Sequence, residues 1–308
     1  MKKSLIFWVE RYLYKPSFSQ SLLSFLLLPL SWIYCLIVWI RYKTITPIDY
    51  GIDIVSIGNL SVGGSGKTPL TTALASRYED VAIILRGYGR KTKGLQVVSN
   101  GSEILCDVES SGDEAMIYAL KVSKAIVIVS EVREEGIKKA KEMGAKLLFL
   151  DDGYSKHQIK KLDILIDVDS PNNACLPSGP YRERAWSKKK VEILKDGVAF
   201  KRSVHVENQT KKMALVTAIA RPERLERFLP SVVSKHYFED HHFFTKEELE
   251  EILDGSRADS LLVTFKDYVK IKDFGINISI LDLDIEVDKI VFKLIDDYVK
   301  GDIYAKEN

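Results

Sequence analysis

The chain has 308 residues, 45 of them basic and 43 acidic, and 46% are hydrophobic. The near-balance of charge excludes a global electrostatic case for nucleic-acid binding, and the apolar content excludes a disordered chain while leaving room for two α/β domains. Three scattered cysteines, Cys35, Cys106 and Cys175, suggest neither a disulfide framework nor a zinc site and fit a reducing compartment.

The first element is a lipid-seeking segment. No charged residue stands between Lys15 and Arg41, and residues 20–40 are about as long as a bilayer-spanning helix. No small-residue cleavage pattern follows, which argues against a signal peptide. Basic residues precede the segment (Lys2, Lys3, Arg11, Lys15) and follow it (Arg41, Lys43), so a single span would satisfy the positive-inside rule on one side only. A segment that lies in the interface, or enters one leaflet and returns, keeps both flanks on one side, and Pro29 would break the helix for that purpose. Trp8, Trp32, Tyr34, Trp39 and Tyr42 are residue types that settle at headgroup depth. A buried core helix of the first domain is the ordinary alternative.

Residues 52–57 read as a buried strand and the stretch after Thr68 as the start of a helix, with Gly58-Asn-Leu-Ser-Val-Gly-Gly-Ser-Gly-Lys-Thr-Pro69 between them. This is a phosphate-binding loop. Gly63, Gly64 and Gly66 let backbone N–H groups face phosphate oxygens, the helix start adds partial positive charge, Lys67 reaches the β/γ-phosphates and the Thr68 hydroxyl suits Mg²⁺. Ser61, Val62 and Ser65 complete the nucleotide loop. Ser61 stands where the general pattern has glycine.

Residues 81–85 predict a second strand running into Arg86-Gly-Tyr-Gly-Arg90, a loop of cations and an aromatic at a strand end, where such folds place ligands. A helix follows Ser110-Ser-Gly-Asp-Glu-Ala115, a strand covers 125–129, and residues 133–146 form a charged amphipathic helix. Leu147-Leu-Phe-Leu-Asp-Asp-Gly153 is an apolar strand ending in two carboxylates, the shape of a Walker B strand whose Asp151 and Asp152 lie beside the phosphate loop and hold Mg²⁺ directly or through water. After a strand at 163–168 and a Pro/Gly-rich break at 170–180, alternation around 191–206 predicts a short antiparallel ribbon. Strands at 213–218 and 261–264 and helices at about 222–229 and 245–254 make a second α/β layer, and a last helix near 286–299 can pack on either domain. The expected organisation is therefore an N-terminal membrane-associated segment (1–45), a P-loop NTPase-like α/β/α domain (46–190), a β-ribbon linker (191–210) and a smaller α/β domain (211–308).

The chain resembles the tetraacyldisaccharide 4′-kinases (lipid A 4′-kinases) over nearly its whole length. The resemblance rests on the loop at 58–69, Arg86-Gly-Tyr-Gly-Arg90, Gly112-Asp-Glu114, Leu150-Asp-Asp-Gly-Tyr154, Leu176-Pro-Ser-Gly-Pro-Tyr-Arg-Glu183, Asp240-His-His242 and Thr264-Phe-Lys-Asp267, in the family's order. Ser or Thr is usual in that family at the position of Ser61. The resemblance implies an ATP- and Mg²⁺-dependent transfer to the 4′-hydroxyl of a tetraacyl glucosamine disaccharide 1-phosphate. It implies a peripheral or monotopic enzyme at the cytoplasmic face of the bacterial inner membrane, with that lipid and the membrane surface as partners and no nucleic acid. It also implies Asp113 as the base at the reacting hydroxyl, with His241 beside it to orient and tune it, and Glu114 and Glu183 sharing the metal and its waters with Asp151, Asp152 and Thr68. Because guanidinium forks suit phosphate, Arg86, Tyr88 and Arg90 are expected to contact either the nucleotide or the acceptor's 1-phosphate. Where the family commonly has Gln-His after Asp-Asp-Gly-Phe, this chain has Ser155-Lys156 and then His157. A membrane-associated GTPase switch would want an Asn-Lys-x-Asp motif, which Thr264-Phe-Lys-Asp267 does not supply; a P-loop adaptor would have no need of Asp113, Asp151 and Asp152 together.

Overall fold

The computed structural model describes residues 2–63, 66–168, 170, 172–186, 190–219 and 222–299. Gly64 and Ser65 of the phosphate loop lie outside the described residues.

Three helices come first: α1 (Lys2–Tyr14), α2 (Phe18–Leu26) and α3 (Leu28–Thr44). Ser17 and Gln20 form a reciprocal capping box that starts α2, and Pro29 in the first turn of α3 forces the break at Leu27. The two helices diverge by 56°, and among the described residues no single helix is long and apolar enough to cross a membrane. One side of α2–α3 is pinned to the 172–183 loop: Ser24 Oγ donates to Ser178 O (2.6 Å), Ser178 N to Ser31 Oγ (2.9 Å) and Tyr34 OH to Arg182 O (3.2 Å). The other side leaves Phe18, Leu22, Phe25, Leu26, Trp32, Ile33, Leu36 and Ile37 exposed. The helices are thus not the buried core alternative raised by the sequence.

Cys35 of α3 is disulfide-bonded to Cys175, 140 residues later, with a Cα–Cα distance of 6.0 Å. This corrects the expectation of unpaired cysteines. Scatter along the chain carries no information about two positions that meet only when α3 lies on that loop.

The first sheet comprises β1 (Asp53–Gly58), β2 (Val81–Leu85), β3 (Gln96–Asn100), β4 (Ile126–Val129), β5 (Leu147–Asp151), β6 (Leu162–Ile166) and β7 (Val191–Leu194). Its order is β3-β4-β2-β5-β1-β6-β7, parallel throughout except for β3, which runs antiparallel to β4 at the edge. Parallel strands need both faces covered, and their near-continuous Val/Ile/Leu runs supply them. On one face Leu70 and Leu74 of α4 (Lys67–Ala75), Tyr118 and Ala119 of α6 (Asp113–Lys121) and Ile295 of α10 (Lys289–Val299) join the core of Val55, Ile57, Ile83 and Phe149. On the other, Ile137 and Ala140 of α7 (Arg133–Glu142) pack on Ile54, Ile84 and Leu150. The single turn α5 (Val108–Ser111) leads into α6.

The second sheet holds β8 (Phe200–Glu207), β9 (Met213–Thr217), β10 (Ser234–Tyr237), β11 (Ser260–Thr264) and β12 (Ile278–Val287), ordered β10-β9-β11-β12-β8. A 3₁₀ turn (Pro222–Phe228), α8 (Lys246–Ser256) and α9 (Phe265–Ile271) complete it. The ribbon expected at 191–210 is not made by that segment with itself. β7 joins the first sheet beside β6, while β8 pairs antiparallel with β12 from Phe200↔Val287 to Glu207↔Ile280. The alternating pattern of 200–207 is that of a half-exposed strand, but its partner lies about eighty residues on. The second sheet is inserted between β7 and α10, and the two crossings lie side by side, with Asp288 N donating to Ala199 O (3.0 Å).

Candidate active site

Register brings the two phosphate-site signals together. β1 and β5 are neighbours with Ile57 opposite Asp151, so the carboxylates end their strand beside the residues that enter the phosphate loop. Gly153 follows them because a Cβ there would come within 2.7 Å of Leu150 Cβ and 2.8 Å of Ser56 Oγ. Gly66, at φ +80°, is the N-cap of α4 and lets the loop turn into the helix. Lys67 and Thr68 occupy the first turn of α4, and the Lys67 ammonium lies 3.2 Å from Asn59 Oδ1 and 3.7 Å from Asp152 Oδ1.

Asp151 is buried; its Oδ2 accepts from Tyr118 OH (2.9 Å), and its Oδ1 has no hydrogen-bond partner among the described residues. Burial raises its carboxyl above the ordinary range against the pull of Lys67. Burial also pushes Glu114 up, to about 7, helped by the charges of Asp151 and Asp113. For Asp152 burial works the same way, but Lys67 and Arg182 outweigh it and hold the carboxyl low. Arg182 bonds Asp152 and also Asn59 Oδ1 (3.1 Å). Asp152 takes a left-handed conformation, φ 52°, costly for a residue with a Cβ, which aims it at these cations.

Glu183 stands apart from this group. It is buried, bonded to Arg41 of α3, and its Oε2 is 3.6 Å from His157 Nε2. His157 is itself buried edge-on against Tyr42 (5.4 Å) and Tyr154 (5.6 Å). Asp152 and Glu183 nevertheless line one cavity of about 130 Å³ with Tyr34, Arg41, Asn59 and Arg182, so the membrane-type helix forms a wall next to the phosphate loop. A larger cavity of about 470 Å³ opens at the amino ends of β1 and β5, among Asp49, Asp53, Lys141 and Lys160. Ligands of open α/β sheets sit at the carboxyl ends of the strands, so the smaller cavity is the relevant one.

The second sheet supplies the other half. Asp113 begins α6 and is 4% exposed; its Oδ1 accepts from Glu114 N (3.0 Å) and its Oδ2 lies 2.9 Å from His241 Nδ1. Lys266 Nζ is 3.6 Å and Lys270 Nζ 3.9 Å from the same oxygen. Burial opposes the charge of Asp113, but His241, Lys266 and Lys270 outweigh it and hold the carboxyl below its usual range. His241 also has a left-handed backbone, φ 63°. Its ring meets Tyr88, centroids 5.5 Å apart, while Arg86 stands exposed at the end of β2. Arg90, by contrast, is tied to Glu131 (2.5 Å) and Gly94 O (2.6 Å) and shapes its own loop. His242 pairs with Glu248 (2.9 Å) and stacks on Phe238, so it serves the second core.

Sequence reasoning passed over Arg182, Arg133, Lys266 and Lys270. Arg133 is buried at the start of α7 and donates to Ser130 O; the helix pattern around it reads as a solvated face. Arg182 and Lys266 lie inside the quoted motifs, which is the only local signal they carry.

Comparison with known proteins converges on one family. A family profile described as Tetraacyldisaccharide-1-P 4'-kinase matches residues 23–204 and 194–300. A tetraacyldisaccharide 4'-kinase of Aliarcobacter butzleri is 47% identical over 98% of this chain and 99% of its own length. Those of Campylobacter jejuni and Helicobacter acinonychis are 44% and 46% identical, covering 97% and 95% of this chain and 98% and 95% of their own. LpxK from Aquifex aeolicus, crystallised with ATP, shares the fold at a TM-score of 0.68, covering 92% of this chain and 99% of that one at 24% identity. With these relatives and the motifs assembled above, the chain belongs to the tetraacyldisaccharide 4′-kinase family.

Proposed function

We propose that this protein transfers the γ-phosphoryl group of ATP to the 4′-hydroxyl of a tetraacyl disaccharide 1-phosphate, the acceptor class named by its relatives. The observation that carries the reading is the convergence of a phosphate loop and its paired carboxylates with a hydrogen-bonded Asp113–His241 dyad whose two members come from different sheets, Glu114 feeling the charges of both groups. A bare phosphate loop would serve any nucleotide protein. The dyad is what an alcohol acceptor needs.

The chemistry follows from the parts. Backbone N–H groups at the start of α4 and the Lys67 ammonium gather the phosphates. The oxygen donors Thr68, Asp151, Asp152 and Glu114 suit a hard divalent cation, and the buried Asp151 Oδ1, which no donor among the described residues satisfies, is the kind of atom such an ion engages. Mg²⁺, when bound there with ATP, would neutralise phosphate charge. Glu183 sits closer to a supporting role: its bond to Arg41 and its contact with His157 connect α3 to the Arg182 loop. Asp113 takes the proton of the acceptor hydroxyl as the new phosphorus–oxygen bond forms and the bond to ADP breaks, and His241 fixes the carboxylate orientation. Arg86 and Tyr88 border the acceptor side.

The exposed apolar side of α2–α3 gives a lipid acceptor its place. Phe18 is 90% and Trp32 68% exposed, and the helices are too short to cross singly, as expected for a segment lying in the cytoplasmic leaflet of the inner membrane. Thr264-Phe-Lys-Asp267 caps α9 and binds Asp113, so it is not a guanine reader. The test is incubation with ATP, Mg²⁺ and a tetraacyl disaccharide 1-phosphate in mixed micelles, with mass spectrometry of the lipid. Gain of one phosphate is expected; intact acceptor under conditions where ATP binds would refute the assignment.

A further inference from the structure

Thr264-Phe-Lys-Asp267 has no part in the phosphate site, yet the structure builds a precise support around it. Asp267 is fully buried and accepts from Thr217 Oγ1 (2.7 Å), Thr264 Oγ1 (2.8 Å) and Ala218 N (3.2 Å). It thereby ties the ends of β9 and β11 together where α9 begins, and a buried carboxylate with three donors is firmly held. The next carbonyl in the knot, Ala218 O, accepts from His241 N (3.2 Å). One cluster therefore fixes both the loop that presents His241 and the first turn of α9.

Lys266 stands on that turn. Its ammonium lies 3.6 Å from Asp113 Oδ2 and 3.2 Å from Asp240 Oδ1, with a side chain 23% exposed, so it reaches the cleft. Lys270, one turn later, is 2% exposed, lies 3.5 Å from Asp267 and donates to His242 O (3.2 Å). Lys270 is an internal strut; Lys266 is the lysine at the surface of the site. Asp113 belongs to the first sheet's layer, whereas His241, Lys266 and Lys270 all come from the second.

We infer that Lys266 is a positioning residue for phosphoryl transfer, holding the Asp113 carboxylate aimed so that the proton acceptor is complete only when the second sheet is seated on the first. This rests on the phosphotransferase reading above. Glu114 N holds one carboxylate oxygen and His241 Nδ1 the other, and the Lys266 ammonium, nearer to that second oxygen than Lys270, adds a contact from the second sheet that narrows the orientations left to the carboxylate.

The test compares the wild-type protein with Lys266→Met and Lys266→Arg, each alone and in an Asp113→Asn background, using ATP, Mg²⁺ and tetraacyl disaccharide 1-phosphate. Wild-type product formation comes first, since its absence removes the phosphotransferase reading itself. Given product, Lys266→Met should lower kcat at least about tenfold, with the Kd for ATP and the KM for acceptor within about threefold of wild type, and Lys266→Arg should recover most of the loss. In the Asp113→Asn background the same substitution should change turnover by less than about twofold, because its effect passes through Asp113. A kcat within about twofold of wild type, a loss residing in either binding constant, or equal losses in both backgrounds would overturn the inference. If Lys266→Met does not fold, Lys266→Gln with and without Asp113→Asn carries the same comparison.

Discussion

Asp113 and Lys67 mark the two ways a side chain can fail this reaction. Asp113 touches no part of the phosphate loop in the contacts described, so Asp113→Ala should lower turnover by on the order of a hundredfold while leaving the ATP Kd nearly unchanged. Lys67 sits between Asn59 and Asp152 at the loop, and Lys67→Ala should damage both turnover and ATP affinity by a similar factor. Steady-state kinetics with a nucleotide titration separates the two; near-normal turnover in folded Asp113→Ala would remove it from the base role. Glu114 offers a different handle, because burial and the neighbouring Asp151 and Asp113 push it up to about 7 from an ordinary 4.5. A carboxyl raised in the folded state keeps a proton that the unfolded chain has released. Stability contributed by that proton is present below the unfolded value and is lost as pH rises from about 4.5 through 7. In EDTA, the melting temperature should therefore fall between pH 5 and 7.5, and Glu114→Gln should flatten the fall, by about 2–4 °C for each kcal/mol removed. An unchanged slope in the variant would show that Glu114 is not the titrating group.

At the level of elements, α2 and α3 invite the plainest test. Trp32 and Leu36 are 68% and 54% exposed, so replacing both with aspartate removes apolar surface that the fold does not use. Trp32→Asp/Leu36→Asp should weaken sedimentation with anionic vesicles at least about tenfold and leave the melting temperature almost unmoved. Unaltered vesicle binding would mean that the membrane contact lies elsewhere. The elements also show what the chain discloses by itself. The strand, glycine loop and helix at 53–75 and the strand ending in Asp151-Asp152 are local patterns, legible because their chemistry is contiguous. Asp113 and His241 are 128 residues apart, and only the order of family motifs joins them. β3, β10, α9 and β12 escaped the sequence reading. β10 and α9 are short, and β12 sets Asp282, Asp284 and Glu286 among its apolar residues, so no continuous run announces it. Arg182, Lys266 and the Cys35–Cys175 pair depend on proximity that no window of sequence contains.

For the whole molecule, the decisive feature is that the chain leaves the first sheet after β7, builds the second, and returns. β8 and β12 form the two-stranded connection, and Phe200 and Val287 at its base pack into the first core. Lys121 of α6 binds Asp282 of β12 and also lies over the Phe265 ring at 4.3 Å, so the inserted sheet is braced against the helix that Asp113 begins. The return is completed by α10, whose Val291, Ile295 and Tyr298 are buried in the first core. Ile54 N donates to Tyr298 OH (3.4 Å), and Tyr78 OH donates to Asp296 Oδ1 (2.9 Å). If α10 is part of the phosphate-loop layer in this sense, damage near the C-terminus must appear as damage to nucleotide binding. Ile295→Ala, at a position with no exposed surface, should cost about 2–5 kcal/mol in urea unfolding, since the cavity opens between α10 and the strand that feeds the loop. ATP should restore stability in proportion to its occupancy, because it binds the folded state alone. A loss below about 1 kcal/mol would show that α10 is an appendage and that the first layer closes without it.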